Sequence, residues 1–114
     1  MDERILKWLF DIKLSIKEID SYFENHGNDF FKYRQNLMMK RAVERNLEII
    51  GEAMNRIITR DSSFEEKITN AKAIIGLRNH VIHSYDNVSD ENIWAILTNH
   101  LPKLKLEIDS LTQE

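Results

Sequence analysis

Residues 2–25 read DERILKWLFDIKLSIKEIDSYFEN. Apolar side chains fall at Ile5, Leu9, Ile12, Ile16, Ile19 and Phe23, in steps that alternate between four and three. That alternation is the period of one helix face and predicts an amphipathic helix over the whole stretch. Leu6, Phe10 and Leu14 are expected to widen the apolar stripe, with Lys7, Lys13, Lys17 and Glu18 toward solvent. The run His26-Gly27-Asn28-Asp29 then breaks the pattern. Gly27 suits a helix C-terminus and Asn28 suits the start of the next segment.

The same period continues outward from this helix. A long segment from Phe30 to about Thr59 carries the stripe Val43, Leu47, Ile50, Met54 and Ile57, flanked by Met38, Met39 and Ile58. Gly51 costs about 1 kcal/mol relative to alanine inside a helix, so its place in the stripe points to a close backbone approach. Arg60-Asp61-Ser62-Ser63 reads as a loop, and Ser62 or Ser63 ahead of Glu65 and Glu66 starts a short helix. A further helix is predicted over Ala71–His83, with Ile74, Leu77 and Val81 on its buried ridge and Ile75 and Ile82 beside it. Turn-forming residues follow from Ser84 to Ser89, and Ser89 ahead of Asp90 and Glu91 reads as an N-cap. The last stretch carries Ile93, Ile96 or Leu97, Leu101, Leu104, Ile108 and Leu111 across Pro102. Proline removes a backbone donor, so the reading there is one kinked helix or two end to end. The fold class is all-α, a bundle of four or five helices.

Composition narrows the function classes. A chain of 114 residues with 42% hydrophobic and 31% charged residues has the make-up of one globular domain, spanning 1–114, rather than of a disordered segment. Three glycines and one proline are too few for the many turns of a β-sandwich or barrel. The absence of cysteine excludes disulfides, zinc–thiolate centres and thiol nucleophiles. No apolar run reaches the roughly 18 residues of a membrane span, and Met1-Asp2-Glu3-Arg4 lacks a signal-peptide layout, so a cytoplasmic protein is expected. The net charge of −3 argues against a general nucleic-acid coat but leaves room for a local site. A domain this small buries a modest share of its surface, which favours pairing with a copy of itself.

The chemistry-bearing residues crowd into Arg78-Asn79-His80-Val81-Ile82-His83-Ser84-Tyr85. On a helix Asn79 and His83 share a face, bordered by Ile75 and Ile82, and the long side chain of Arg78 can reach toward His83. Histidine exchanges a proton near neutral pH, and arginine offers a fork that fits phosphate oxygens. Asn79 can orient an imidazole or a phosphate. Together they suit cleavage of a phosphodiester by an internal nucleophile, as in RNA. His83 would help remove the 2′-hydroxyl proton, and Arg78 would stabilise the phosphorane-like transition state. This chemistry needs no metal and no cofactor. One His and one Arg are sparse for full acid–base catalysis, and two copies facing across a dimer would double them. The plainer reading of an Arg and a His on a helix is a surface or interface hydrogen bond. His80 and His83, three apart, could hold a metal only with a third ligand, and none suggests itself. His26 and His100 have no convergent partners and read as structural.

At these residues the chain resembles the HepT-like toxins of the HEPN superfamily of helical ribonucleases. Arg78, His83 and Tyr85 stand in the family's R-x4-H-x-Y spacing. The stretch from Ala42 to Ala53, AVERNLEIIGEA, is similar to the second-helix signature, and Ile74–Asn79 to the run into the motif. Trp94 followed by Leu101-Pro102-Lys103-Leu104 resembles the final helix. The family often has a Pro and a Trp shortly before the motif helix, whereas Ile68–Lys72 here has neither. The resemblance implies a HEPN-type bundle that forms a homodimer, with the motifs of the two subunits meeting in an RNA cleft. It implies Arg78 and His83 as the catalytic pair, with Asn79 and His80 in support. It also implies a minimal nucleotidyltransferase antitoxin as partner, which transfers AMP from ATP to the motif tyrosine, here Tyr85. A phosphodiester and a nucleoside added there would compete for the RNA phosphate and block the cleft.

The expected function is therefore a metal-independent endoribonuclease toxin acting on transfer or messenger RNA. The alternative is a non-catalytic subunit that presents a substrate to the nucleotidyltransferase, a reading the acidic total charge favours. A third reading is an inert helical dimer whose motif residues only hold the interface. Glu52, next to Gly51 in the signature, could approach Arg78, bind a partner or cap a neighbouring helix.

Overall fold

A computed structural model of the chain describes residues 1–83 and 90–113, with the backbone alone for His26 and residues 78–83. The described residues form helices and no strands, in agreement with the all-α reading.

Helix α1 spans Glu3–His26. The Asp2 carboxylate caps it, accepting from the backbone N–H of Arg4 at 2.8 Å and of Ile5 at 3.3 Å. Arg60 Nε donates to the same carboxylate at 2.8 Å, which ties the start of α1 to the end of a later helix. That hydrogen bond is the main reason the Asp2 carboxyl is held below the usual carboxylate range. Gly27 closes the helix at φ +77°, where a side chain would be strained, and its N–H donates to the Phe23 carbonyl at 2.7 Å. Ile5, Leu9, Ile12, Ile16 and Ile19 are all buried, as their spacing predicts. Phe10 and Leu14 do not widen that stripe and stand 48% and 57% exposed. At about 100° per residue they project from the opposite side of the cylinder, so helix geometry overrides their apolar character.

The long second helix of the sequence reading is two helices. Helix α2 covers Phe30–Gln35 and α3 covers Leu37–Arg60. Asn36 breaks them: its backbone is extended (φ −101°, ψ 92°), and its side-chain oxygen accepts from Met39 N at 3.0 Å. The α2 cap is Asp29 rather than Asn28, accepting from Phe31 N and Lys32 N at 2.9 and 3.2 Å. Replacing Asn36 by alanine should cost about 1 kcal/mol. Urea unfolding would show this as a lower midpoint at unchanged helical content.

Helix α3 is the spine of the bundle. Val43, Leu47, Ile50, Met54 and Ile57 are fully buried, and Gly51 is buried among them. It packs against α1 on one side and against the later helix α5 on another. A single turn, α4 (Phe64–Lys67), follows. Ser63 is its N-cap, one of the two serines the sequence offers, without a side-chain capping bond, and the Asp61 carboxylate holds it in place, accepting from Ser63 N at 3.0 Å and Ser63 Oγ at 2.6 Å. Phe64 and Ile68 anchor this corner in the core, and the Glu107 carboxylate accepts from Thr69 N at 2.9 Å. Asn70 adopts φ +60°, a conformation asparagine tolerates better than most residues, and its carbonyl accepts from Ile74 N at 3.0 Å. This is how the corner is held without the Pro and Trp of the resembling family.

Helix α5 spans Ala71–His83, the bounds read from the sequence. Ala71 is buried, while Ile74, Ile75 and Leu77 are only half-buried. The expected ridge positions Val81 and Ile82, and the expected cap Ser89, lie outside the described side chains. The final stretch is α6 (Asp90–Ala95), a π turn (Ile96–His100) and α7 (Leu101–Thr112). Of the two readings, two helices end to end holds, with the interruption just ahead of Pro102. Pro102 sits in the first turn of α7, where no N–H is needed, and the Leu101 N–H reaches back to the Ile96 carbonyl. Trp94 joins Phe23, Phe30 and Tyr33 in an aromatic cluster, with ring centroids 5.4 to 5.7 Å from Trp94. No helix among the described residues is long and apolar enough to cross a membrane.

Candidate functional site

The motif sits on the last two turns of α5. Arg78, Asn79, His80 and His83 all belong to this helix. Arg78 and His83 are five residues apart, about 7.5 Å along the axis, and Asn79 and His83 are one turn apart. Their side chains lie outside the description, and so does Tyr85 altogether.

What surrounds this end of α5 is described. Ten residues, 61–70, separate α3 from α5, and α5 packs on α3. Seven residues beyond His83, Asp90 pairs with Lys40 in the second turn of α3. The motif helix thus lies on α3, and Asp90, seven residues beyond it, is tied to the start of α3. The Lys40–Asp90 pair is 3.2 Å long and half-buried on both sides, and Lys40 Nζ also reaches the Arg34 carbonyl at 3.4 Å. One ammonium thus holds together the end of α2, the start of α3 and the start of α6. Ion pairs screened from water in this way are more persistent than exposed ones.

Two further ionisable groups lie at this junction. Glu44 is half-buried, and burial pushes its carboxyl above the ordinary range. Lys40 opposes that shift, Asp90 adds to it, and Arg41 opposes it more weakly. The Tyr33 phenol is buried, and its oxygen finds no hydrogen-bond partner among the described residues. Burial holds that phenol strongly toward its neutral form, with Glu44 and Asp90 adding to the effect. The sequence held no signal for the Lys40–Asp90 contact, because its members are 50 residues apart. Tyr33 and Glu44 were hidden for a related reason, since each reads as an ordinary helix residue.

Two grooves flank the helices that frame the site. One, of about 530 Å³, runs between α5 and the α6–π–α7 arm. Ile74, Leu77, Ile96, Leu101 and Leu104 form its apolar floor, and His100 and Lys103 stand at its edge. His100 is exposed there and not part of the core. The other, of about 350 Å³, lies between α1 and α3 and holds Asp11, Arg45, Glu48, Glu52 and Arg56. Glu52 pairs with Arg56 one turn on, Nε to Oε1 at 3.3 Å.

Comparison with known proteins adds the family. A family model described as "Ribonuclease HepT-like" matches residues 12–111. The Methanocaldococcus jannaschii protein named "Putative RNase MJ1380" is 37% identical over 112 residues, covering 96% of this chain and 98% of that one. A second protein of the same organism, "Putative RNase MJ0125", is 30% identical over 111 residues, covering 91% of this chain and 93% of the other. Among solved structures, the chain matches the tri-AMPylated Shewanella oneidensis HEPN toxin in complex with MNT antitoxin. The TM-score is 0.73 over the full length of both chains, at 22% identity, a likeness of fold.

Proposed function

The chain belongs to the ribonuclease HepT-like family, and from that premise we propose that it is a metal-independent endoribonuclease toxin acting through Arg78 and His83. The observation that carries this reading is the placement of Arg78, Asn79, His80 and His83 on one continuous helix, in a chain of a ribonuclease family. His83 accepts the proton of a ribose 2′-hydroxyl. The 2′-oxygen attacks the adjacent phosphorus, the bond to the 5′-oxygen breaks, and that oxygen leaves with a proton. The products are a 2′,3′-cyclic phosphate and a 5′-hydroxyl. Arg78 stabilises the extra charge on the phosphoryl oxygens as attack proceeds. Asn79 and His80 orient the phosphate and the imidazole. Two copies of the chain, facing each other, supply a second imidazole for the leaving oxygen.

Regulation follows from the same helix end. A nucleotidyltransferase antitoxin transfers AMP from ATP to Tyr85: the phenol oxygen bonds to the α-phosphorus and pyrophosphate leaves. The relative whose fold matches is described as AMPylated and in complex with an antitoxin of this kind. A phosphodiester placed two residues from His83 adds negative charge where the RNA phosphate must bind. Tyr85→Phe should abolish the gain of one AMP in mass on incubation with the nucleotidyltransferase and ATP, while leaving RNA cleavage intact. Cleavage that stays blocked by the antitoxin and ATP in Tyr85→Phe would count against this form of control. A folded chain that cuts no RNA, yet binds the nucleotidyltransferase tightly, would favour the substrate-presenting subunit instead.

A further inference from the structure

Basic charge in this acidic chain is concentrated in one place. Residues 30–45 hold five of the 16 basic residues and one of the 19 acidic ones. That single acid, Glu44, is half-buried, and Lys40 is engaged with Asp90. Lys32, Arg34, Arg41 and Arg45 are exposed, and no ion pair engages them among the described residues. The same segment exposes three large apolar side chains: Phe31 at 71%, Leu37 at 58% and Met38 at 82%. On α3, Leu37, Met38, Arg41 and Arg45 fall within an arc of about 100°, opposite the buried Asn46, Val43 and Leu47. The arc turns acidic after Arg45, where Glu48 and Glu52 follow, so the basic face has a defined end.

This face is tied to the segment that follows the motif helix. Lys40 binds both the Arg34 carbonyl of α2 and Asp90, the first described residue after the motif helix. We propose that the α2–α3 junction is the docking surface for a single-stranded RNA substrate, with Arg34, Arg41 and Arg45 on phosphates, Phe31 stacked on a base, and Leu37 and Met38 against its neighbour. The proposal rests on the ribonuclease reading above and adds where the strand lies. Charge complementarity selects the occupant. A polyanion fits a face with four cations that no ion pair engages among the described residues, whereas a second copy of this chain would bring a net charge of −3 and the same basic face. An exposed ring among arginines is the pairing that single-strand binders use, because every base offers a face to stack on.

The test uses the full wild-type chain and a mixed-sequence single-stranded RNA carrying 2′-O-methyl groups, which removes the attacking hydroxyl whichever residues cut. Binding is read by fluorescence anisotropy across a salt series. Arg34→Glu and Arg41→Glu should each weaken binding at least about fivefold and lower the slope of log affinity against log salt by about 0.7 per lost phosphate contact. Phe31→Ala should weaken it about tenfold with the slope unchanged. Lys17→Glu, the same charge change on exposed α1, should stay within twofold. Four results overturn the proposal: wild-type chain that does not bind the probe, variants that bind as wild type, equal weakening by Lys17→Glu, or variants that keep RNA affinity but lose self-association or the nucleotidyltransferase. Cleavage of unmethylated RNA by wild type and His83→Ala is scored separately, so failure of the docking surface is distinguishable from failure of the ribonuclease reading.

Discussion

The His83→Ala variant is expected to lose RNA cleavage by a factor of about a hundred to ten thousand, the range over which a positioned acid–base group acts. Arg78→Ala should lose about a hundred- to a thousandfold, the range for removing one donor to a developing oxyanion. The two losses should not multiply in the double variant, because a proton acceptor without its charge stabiliser accomplishes little. Both positions lie at the end of α5, past its half-buried Ile74, Ile75 and Leu77. Circular dichroism and the urea midpoint should therefore stay near wild type. Full cleavage in both folded variants would remove these residues from the mechanism.

The second large effect concerns the scaffold. Leu47 is fully buried on α3, the helix that packs on both α1 and α5. Leu47→Ala should destabilise the chain by about 2–5 kcal/mol, the transfer term plus the cost of the cavity left behind. Leu47→Met, close in volume, should cost less than about 1.5 kcal/mol. Equilibrium urea unfolding separates the two. Because α5 rests on α3, loss of cleavage in Leu47→Ala should track the unfolded fraction and recover at lower temperature or with less urea. A cost below about 1 kcal/mol would mean that α3 is not the spine described here.

Much of the fold was legible because helix burial follows a period. The Ile5–Ile19 stripe, the Val43–Ile57 stripe, the Gly27 stop and the bounds of Ala71–His83 were all read correctly from spacing and capping chemistry. The errors have local physical causes. Phe10 and Leu14 were assigned by character, although their angular position puts them on the outer face. The break at Asn36 was missed because its neighbours continue the apolar period, and only its capping bond to Met39 marks the end of one helix and the start of the next. Around Pro102 the sequence allows one kinked helix or two end to end, and the structure has two, α6 and α7, with a π turn at Ile96–His100 between them that no residue pattern announces.

The site was legible in a different way. Arg78, Asn79, His80 and His83 stand out as candidates because polar, chemistry-bearing types crowd a short apolar helix, and the backbone of all four belongs to α5. Family membership, by a match over residues 12–111, agrees with the resemblance those residues carried. The junction of Lys40, Glu44, Tyr33 and Asp90 was invisible to spacing, since folding alone brings α2, α3 and α6 together. The basic face at 30–45 was present in the sequence all along, but a net charge of −3 averages it away. Its arginines are exposed like Arg56 and Arg60, but unlike those two they enter no ion pair among the described residues.

The central claim is that this chain cuts RNA without a metal, using the helix that carries Arg78 and His83. The most direct measurement incubates folded wild-type chain, shown by mass to carry no AMP, with total RNA in excess EDTA beside His83→Ala, and reads fragments and their ends on a denaturing gel. The account predicts discrete fragments ending in 2′,3′-cyclic phosphate from wild type alone. Intact RNA with the unmodified wild type, or the same fragments with His83→Ala, would contradict it.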